Sequence, residues 1–211
     1  MPTSTEKLGR ALNDHAREFG VDLQAEDTAR LGRYYELLLK WNSKLHLVAP
    51  CSPREFATRH ILESLFLLTH LPQNASIVDV GSGAGLPIVP CLIVRNDLRA
   101  ILIESSQKKA VFLREALRGL HHHGHHHERA RVIAGRFEDT VVPPADFVTC
   151  RALDKFQSLL PRLIDWAPDD SELLLFGGAN LRKQVTALIP SAKAFALPKS
   201  DRRFLIRARK F

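Results

Sequence analysis

The chain of 211 residues is short of several features on which particular protein classes depend. It has three cysteines, Cys51, Cys91 and Cys150, widely separated and without a CxxC pair. Such an odd, sparse set excludes a disulfide framework and suits a reduced, intracellular protein whose cysteines are small buried residues. The longest apolar run, Leu86–Val94, is nine residues and holds two prolines. A membrane span needs about twenty, so none is expected. No basic stretch leads into an apolar run at the N-terminus, so no secretory leader is expected and the expected location is cytoplasmic. There is no internal repeat. With 45% hydrophobic and 25% charged residues the composition is that of an ordinary globular protein, not of a disordered chain or a coiled coil.

What is present in excess is positive charge, +7 formally, and it is unevenly placed. Residues 1–72 carry nine basic and nine acidic side chains, residues 73–192 fourteen and thirteen, and residues 193–211 seven and one. A basic tail of this kind suits a polyanion partner, or simply forms a solvated edge.

Periodicity divides the chain near residue 72. Residues 4–19 and 28–42 read as amphipathic helices, and Ser52-Pro53-Arg54-Glu55 is a helix start with a capping serine, a first-turn proline and a glutamate to close the box. This third helix is expected to end before Pro72. Residues 1–72 are thus expected to form an N-terminal helical extension to a main domain of residues 73–211. In the second part strands at 77–80, 99–104, 131–135, 146–150 and 172–176 alternate with helices at 108–120, 153–166 and 180–189. A last pair of strands is expected at 192–197 and 204–209. This alternation specifies a doubly wound α/β fold, Rossmann-like, with a mostly parallel sheet and an antiparallel edge.

The first strand runs into Asp79-Val80-Gly81-Ser82-Gly83-Ala84-Gly85. Gly81, Gly83 and Gly85 let the backbone turn tightly and approach a ligand at the carboxyl end of the sheet. The spacing is GxGxG, with Leu86 next, and so is not the GxGxxG of a dinucleotide site. Asp79 would repel a pyrophosphate but suits a cationic group, and Glu104, ending the second strand, can accept from a ribose diol. A ribose with a positive amino-acid tail and no phosphate describes S-adenosyl-L-methionine.

Several further stretches surround the glycine motif in a fixed order: Trp41-Asn42-Ser43-Lys44-Leu45, Arg59-His60-Ile61-Leu62-Glu63-Ser64-Leu65, Leu86-Pro87, Lys108-Lys109 with Phe112-Leu113, Gly135-Arg136-Phe137-Glu138 and Arg151-Ala152. Together, over residues 25–190, the chain resembles the bacterial small-subunit ribosomal RNA guanine-N7 methyltransferases, once called glucose-inhibited division protein B. The resemblance implies a class I methyltransferase fold with cofactor contacts at Gly81 and Leu86, adenine contacts at Phe137 and Glu138, and Arg151 beside the transfer site. It implies 16S ribosomal RNA, free or in the small ribosomal subunit, as the partner, with no obligate protein partner. The chain departs from the family where Glu63 replaces the usual aspartate, where Ile88 replaces a glycine, and where Phe176-Gly177-Gly178 replaces a Lys-Gly pair. Lys183 or the basic tail are the candidates to supply the missing cation.

Guanine N7 has a free lone pair and no proton to lose, so its methylation needs alignment rather than a general base. Asn42 and Arg151 read as donors to guanine O6 and N7. His60 reads equally as a third donor or as a helix-face histidine, and Arg59 as a phosphate contact or a solvated charge. The run His121–His127, interrupted by Gly124, can hold soft metals. It joins a helix to a strand at the amino edge of the sheet, and no metal centre is expected in the active site.

Overall fold

The computed structural model describes residues 1–119, 129–151 and 156–210. Its first third is helical because its caps and apolar faces say so. Thr3 starts α1 (Ser4–His15) with a reciprocal box: the Glu6 amide donates to the Thr3 hydroxyl at 3.1 Å and the Thr3 amide to the Glu6 carboxylate at 2.7 Å. A 3-10 turn, Ala16–Phe19, ends at Gly20 in the left-handed region. The second helix, α2 (Ala25–Leu45), starts three residues earlier than its periodicity suggests, because Gln24 and Asp27 form a capping box of their own. Ser52 caps the next helical segment as expected, accepting from the Glu55 amide at 3.1 Å. That segment is not uniform: α3 (Pro53–Glu55) passes into π-helical turns over Phe56–Leu62, then α4 (Glu63–Leu65) and a 3-10 turn, Phe66–His70. A π-helical stretch widens the spacing of side chains, and such stretches concentrate at functional sites.

Seven strands follow in the order β3-β2-β1-β4-β5-β7-β6: β1 Ser76–Val80, β2 Arg99–Glu104, β3 Ala130–Ala134, β4 Phe147–Arg151, β5 Glu172–Gly178, β6 Lys193–Ala196 and β7 Arg203–Arg209. The first five pair in parallel, while β7 pairs antiparallel with both β5 and β6. The helices are α5 (Ile88–Val94), α6 (Gln107–Arg118), α7 (Phe156–Trp166) and α8 (Ala179–Leu188). The strand order reverses direction between β1 and β4, which is where an open α/β sheet binds its ligand. The short α5, apolar on every side, is buried along six of its seven residues.

Alternation along the strands sends side chains to two cores. Ile77 joins a cluster with Leu8, Leu12, Leu31 and Leu38 of the N-terminal helices and with Val89, Phe112 and Leu113. Val78 and Val80 join the opposite cluster, with Leu160, Leu163, Leu181 and Val185. Residues 1–72 therefore share the first core with α5, α6 and the sheet. Among the described residues no helix is long and apolar enough to cross a membrane. The histidine run 121–127 and residues 152–155, the expected start of the helix after the fourth strand, lie outside the described residues.

Gly85 shows why the turn after β1 needs glycine. Its φ is +81°, and a Cβ there would stand 2.5 Å from Val89 Cγ2. Gly85→Ala is expected to lower stability by about 1–3 kcal/mol from backbone strain and overpacking combined, measured as a lower thermal midpoint with the far-UV spectrum unchanged.

Candidate active site

Three loops at the carboxyl edge of the sheet enclose a cavity of about 630 Å³. The glycine loop forms one wall. The Gly81 and Ser82 amides donate to the Ile103 carbonyl at 2.9 and 3.1 Å, so the loop folds across the end of β2. Glu104 fixes this crossing: its carboxylate accepts from the Gly83 amide at 2.8 Å and from the Ser106 amide at 2.7 Å. A carboxylate offers about four lone-pair sites, so Glu104, on the cavity wall, retains capacity for two further donors. From the helical layer, Tyr34 donates to the Ala84 carbonyl at 2.6 Å and holds the loop's far side. The third loop contributes Phe137 and Glu138; the Phe137 ring meets Trp166 edge-on at 5.4 Å and the Glu138 carboxylate pairs with Arg136 at 3.1 Å.

The other half of the cavity belongs to His60, Arg151, Leu47 and Val48. His60 lies in the π-helical turn with its ring against Phe56, 5.0 Å between centroids. Burial, with the Arg151 and Arg59 charges adding, lowers its pKa to about 4, so it is a neutral imidazole at pH 7. Arg151 ends β4 and crosses to the same turn. Its Nη1 donates to the Ser64 hydroxyl at 3.2 Å and the His60 carbonyl at 3.4 Å; its Nη2 donates to the Arg59 carbonyl at 2.6 Å and to Glu63 at 3.3 Å. The four terminal N–H groups are thus engaged, and Nε–H makes no hydrogen bond among the described residues. Glu63, 2% exposed, pairs also with Arg203 of β7 at 2.5 Å. Its pKa is raised by burial, and both arginines act against that rise.

The sequence-predicted residues divide into two groups. Gly81, Gly83, Leu86, Glu104, Phe137, Glu138, His60 and Arg151 all line the one cavity, although they come from five separate stretches of chain. Three others do not. Asn42 is not on the cavity wall: its amide donates to the Val48 carbonyl at 3.0 Å and accepts from the Val48 amide at 2.9 Å, closing the turn that brings Leu47 and Val48 to the cavity. Gly85 faces Val89 and Leu113 behind the loop. Asp79 is fully buried under the loop and reaches no cavity surface. Its carboxylate oxygens have no hydrogen-bond partner among the described residues, since the neighbouring Ser82 hydroxyl donates to the Asp79 carbonyl instead. Burial raises its pKa to about 7, and the Glu104 charge adds to the rise.

Ser105, Ser106 and Lys109 also line the cavity, as do Leu47, Val48 and Leu159. Ser106 could have been found as the N-cap of α6, whose side chain accepts from the Lys109 amide. Leu47 and Val48 carry no local signal, because only the Asn42 staple brings them there.

This donor and acceptor set fits S-adenosyl-L-methionine: Glu104 for a ribose diol and the apolar Phe137 for an adenine face. It offers no cluster of His, Cys, Asp and Glu for a metal among the described residues. Fold and cavity together define a methyltransferase of the Rossmann-like class. Solved structures of this fold align with the chain: the mitomycin 7-O-methyltransferase MmcR, at 16% identity and TM-score 0.57, covers 98% of this chain and 69% of its own. An S-adenosylmethionine-dependent methyltransferase from Aquifex aeolicus, at 13% identity and TM-score 0.54, covers 74% and 93%.

Sequence comparison is more specific. Residues 27–195 match the model of the GidB family, described as rRNA small subunit methyltransferase G, and the chain belongs to that family. Relatives named ribosomal RNA small subunit methyltransferase G include one from Methylobacillus flagellatus, 41% identical over 70% of each chain. Another, from Xanthomonas axonopodis pv. citri, is 41% identical over 82% of this chain and 81% of its own.

Removing the Glu104 carboxylate is expected to weaken S-adenosylhomocysteine binding at least tenfold, from the loss of charged hydrogen bonds at about 1.5–3 kcal/mol each. Titration calorimetry on Glu104→Ala checks this, with a melting curve to follow the release of Gly83 and Ser106. Asp79 predicts a pH effect. Its folded pKa, about 7, exceeds the unfolded value of about 3.9. The native state therefore binds the extra proton, and stability falls as pH rises from about 4 to 7. Asp79→Asn should flatten that part of the stability profile in chemical denaturation.

Proposed function

We propose that the protein transfers the methyl group of S-adenosyl-L-methionine to N7 of a guanine in 16S ribosomal RNA of the small ribosomal subunit. The observation that carries this is the division of one cavity into a nucleoside half, with Glu104, Phe137 and Glu138, and a second half with His60, Arg151, Leu47 and Val48, in a chain of the rRNA small subunit methyltransferase G family. When bound, the cofactor supplies an electrophilic methyl group on a sulfonium. The chain's own task is then to bring an acceptor base into line and exclude water.

The second half suits that task electrostatically. A methylated N7 leaves the purine cationic, so further positive charge around it would oppose the product. His60 is held neutral, and Arg151 is paired with Glu63, a carboxylate it shares with Arg203. Arg151 Nε–H and the His60 ring are the donors left for guanine O6, and no residue is required to remove a proton. The Leu47–Val48 turn gives a purine an apolar wall. A ribosomal RNA substrate carries a cytoplasmic location with it.

The test is mass-spectrometric mapping of 16S ribosomal RNA from a strain lacking the protein. One guanosine should lose its methyl mass and regain it on complementation with the wild-type gene but not with the Glu104→Ala form. Ribosomal RNA identical in the two strains would overturn the assignment in favour of a small-molecule or protein substrate.

A further inference from the structure

Most cations of the basic tail are engaged in ion pairs within the chain. Lys199 pairs with Glu18 at 3.0 Å and Arg203 with Glu63 at 2.5 Å. Arg207 pairs with Glu172, and Lys210 with Asp169 at 3.0 Å while also donating to the Asp165 and Ala167 carbonyls. Four of the seven cations in residues 193–211 are therefore internal staples. Lys193, Arg202 and Arg209 have no ion pair among the described residues, and strand direction separates them. The first residue of β7 is Arg203, paired in register with Gly178 at the carboxyl end of β5. Arg202 therefore emerges at the same edge of the sheet as the cavity, whereas Arg209 and Lys193 lie at the amino edge.

A second element brings cations to that edge. The helix α8 begins at Ala179, directly after β5, so Arg182 and Lys183 sit within about one turn of the carboxyl edge. Both are exposed, and α8 contains no carboxylate. The Arg182 guanidinium lies 4.6 Å from the Phe204 ring centroid, and Phe204 is the register partner of Gly177. This stacking fixes one face of the planar cation against the sheet and leaves its donors outward. The Arg202 carbonyl lies 3.5 Å from where a Cβ on Gly178 would stand, which sets the loop before β7 beside the start of α8. On the other side of β5, Arg151 lies over the Phe176 ring at 5.7 Å. The β7 end beside Arg202 thus lies two strand spacings, about 10 Å, from the β4 end that lines the cavity, and α8, with Arg182 and Lys183, leaves the β5 end one spacing away. Asp201 is the one carboxylate in residues 193–211.

We propose that Arg182, Lys183 and Arg202 form a docking surface for the phosphate backbone of single-stranded RNA, on the flank of the cavity beyond β5 and β7. The proposal rests on the RNA-substrate reading above and gives that substrate a second point of attachment. The chemistry is that of phosphate positioning: unpaired, outward cations with no base-reading groups among them hold register without reading sequence. A segment whose guanine enters the cavity would continue along the carboxyl edge over these three residues. Tests on the tail as a whole would mix them with the staples.

The test is fluorescence anisotropy of the full chain with a labelled single-stranded RNA oligonucleotide across a salt series. The side chains of Lys183 and Arg202 make no hydrogen bond or ion pair among the described residues, so their removal leaves the fold's own staples in place. Lys183→Gln with Arg202→Gln should weaken binding and lower the salt slope by about 0.7 for each phosphate no longer neutralised. Adding Arg182→Gln should bring the total loss of affinity to about tenfold or more at low salt and the slope change to about 2. If loss of the Phe204 stacking unfolds the triple variant, the double variant alone decides. A charge-matched control, Arg99→Gln with Arg131→Gln, removes two cations from the amino edge and should leave both quantities near wild type. Equal effects from the two doubles would overturn the proposal, since net charge alone would then explain binding. An unchanged slope in the edge variants would overturn it too, and leave the surface to an acidic protein or to solvent. Affinity for S-adenosylhomocysteine should stay constant throughout. Because the readout is RNA binding, a negative result here differs from a negative methylation map, which would strike the proposed reaction instead.

Discussion

One buried carboxylate decides how the helical layer meets the sheet. Glu63, 2% exposed, sits between Arg151 at the end of β4 and Arg203 at the start of β7. Removing the Glu63 carboxylate would leave the Arg151 charge buried without its counter-ion, which costs about 3–5 kcal/mol. The arrangement ties together segments 88 and 140 residues apart, Glu63 to Arg151 and Glu63 to Arg203 by subtraction of their numbers. It also sets the charge balance of the cavity. Arg151 approaches the site paired with Glu63, a carboxylate it shares with Arg203, and His60, in the same turn, stays uncharged because it is buried beside Arg151, Arg59 and Arg203. A glutamate at this position has the reach to engage both.

The cofactor half depends on a different carboxylate in the same way. Glu104 takes the Gly83 and Ser106 amides and so locks the glycine loop to the β2–α6 turn before any ligand arrives. Preorganisation of this kind lowers what binding must otherwise supply in ordering. Underneath, Asp79 remains a buried carboxylate without a hydrogen-bond partner among the described residues, an unusual cost for a folded chain. The glycine turn that covers it, with Gly81, Gly83 and Gly85 all at positive φ, leaves no side chain to reach it.

Charge placement changes meaning once the chain is folded. Along the sequence the last nineteen residues stand out as basic, and from composition they read as one patch. In three dimensions β7 runs antiparallel to β5, so its two ends face opposite edges of the molecule and its side chains pair with carboxylates on either side. The cations that remain at the cavity edge come from two elements, and two of them, Arg182 and Lys183, belong to a helix outside that basic run.

The sequence by itself determined the succession of helices and strands, the doubly wound sheet, the glycine turn and most of the cavity wall. Those features follow from local periodicity, capping and the rule that ligands meet parallel strands at their carboxyl ends. Gly81 and Glu104 were legible from their places at strand ends, whereas Leu86, Phe137 and Arg151 were legible through the family resemblance. Tertiary structure alone decided the rest. Asn42 has the chemistry of a donor for a base, but folding closes its amide on Val48. Asp79 lies in the strand itself, pointing into the core rather than the cavity, one residue short of the turn. Leu47 and Val48, the Glu63 ion pairs and the fate of each basic side chain all depend on which distant residue lies opposite. That information is carried by packing between layers, to which no short window of sequence has access.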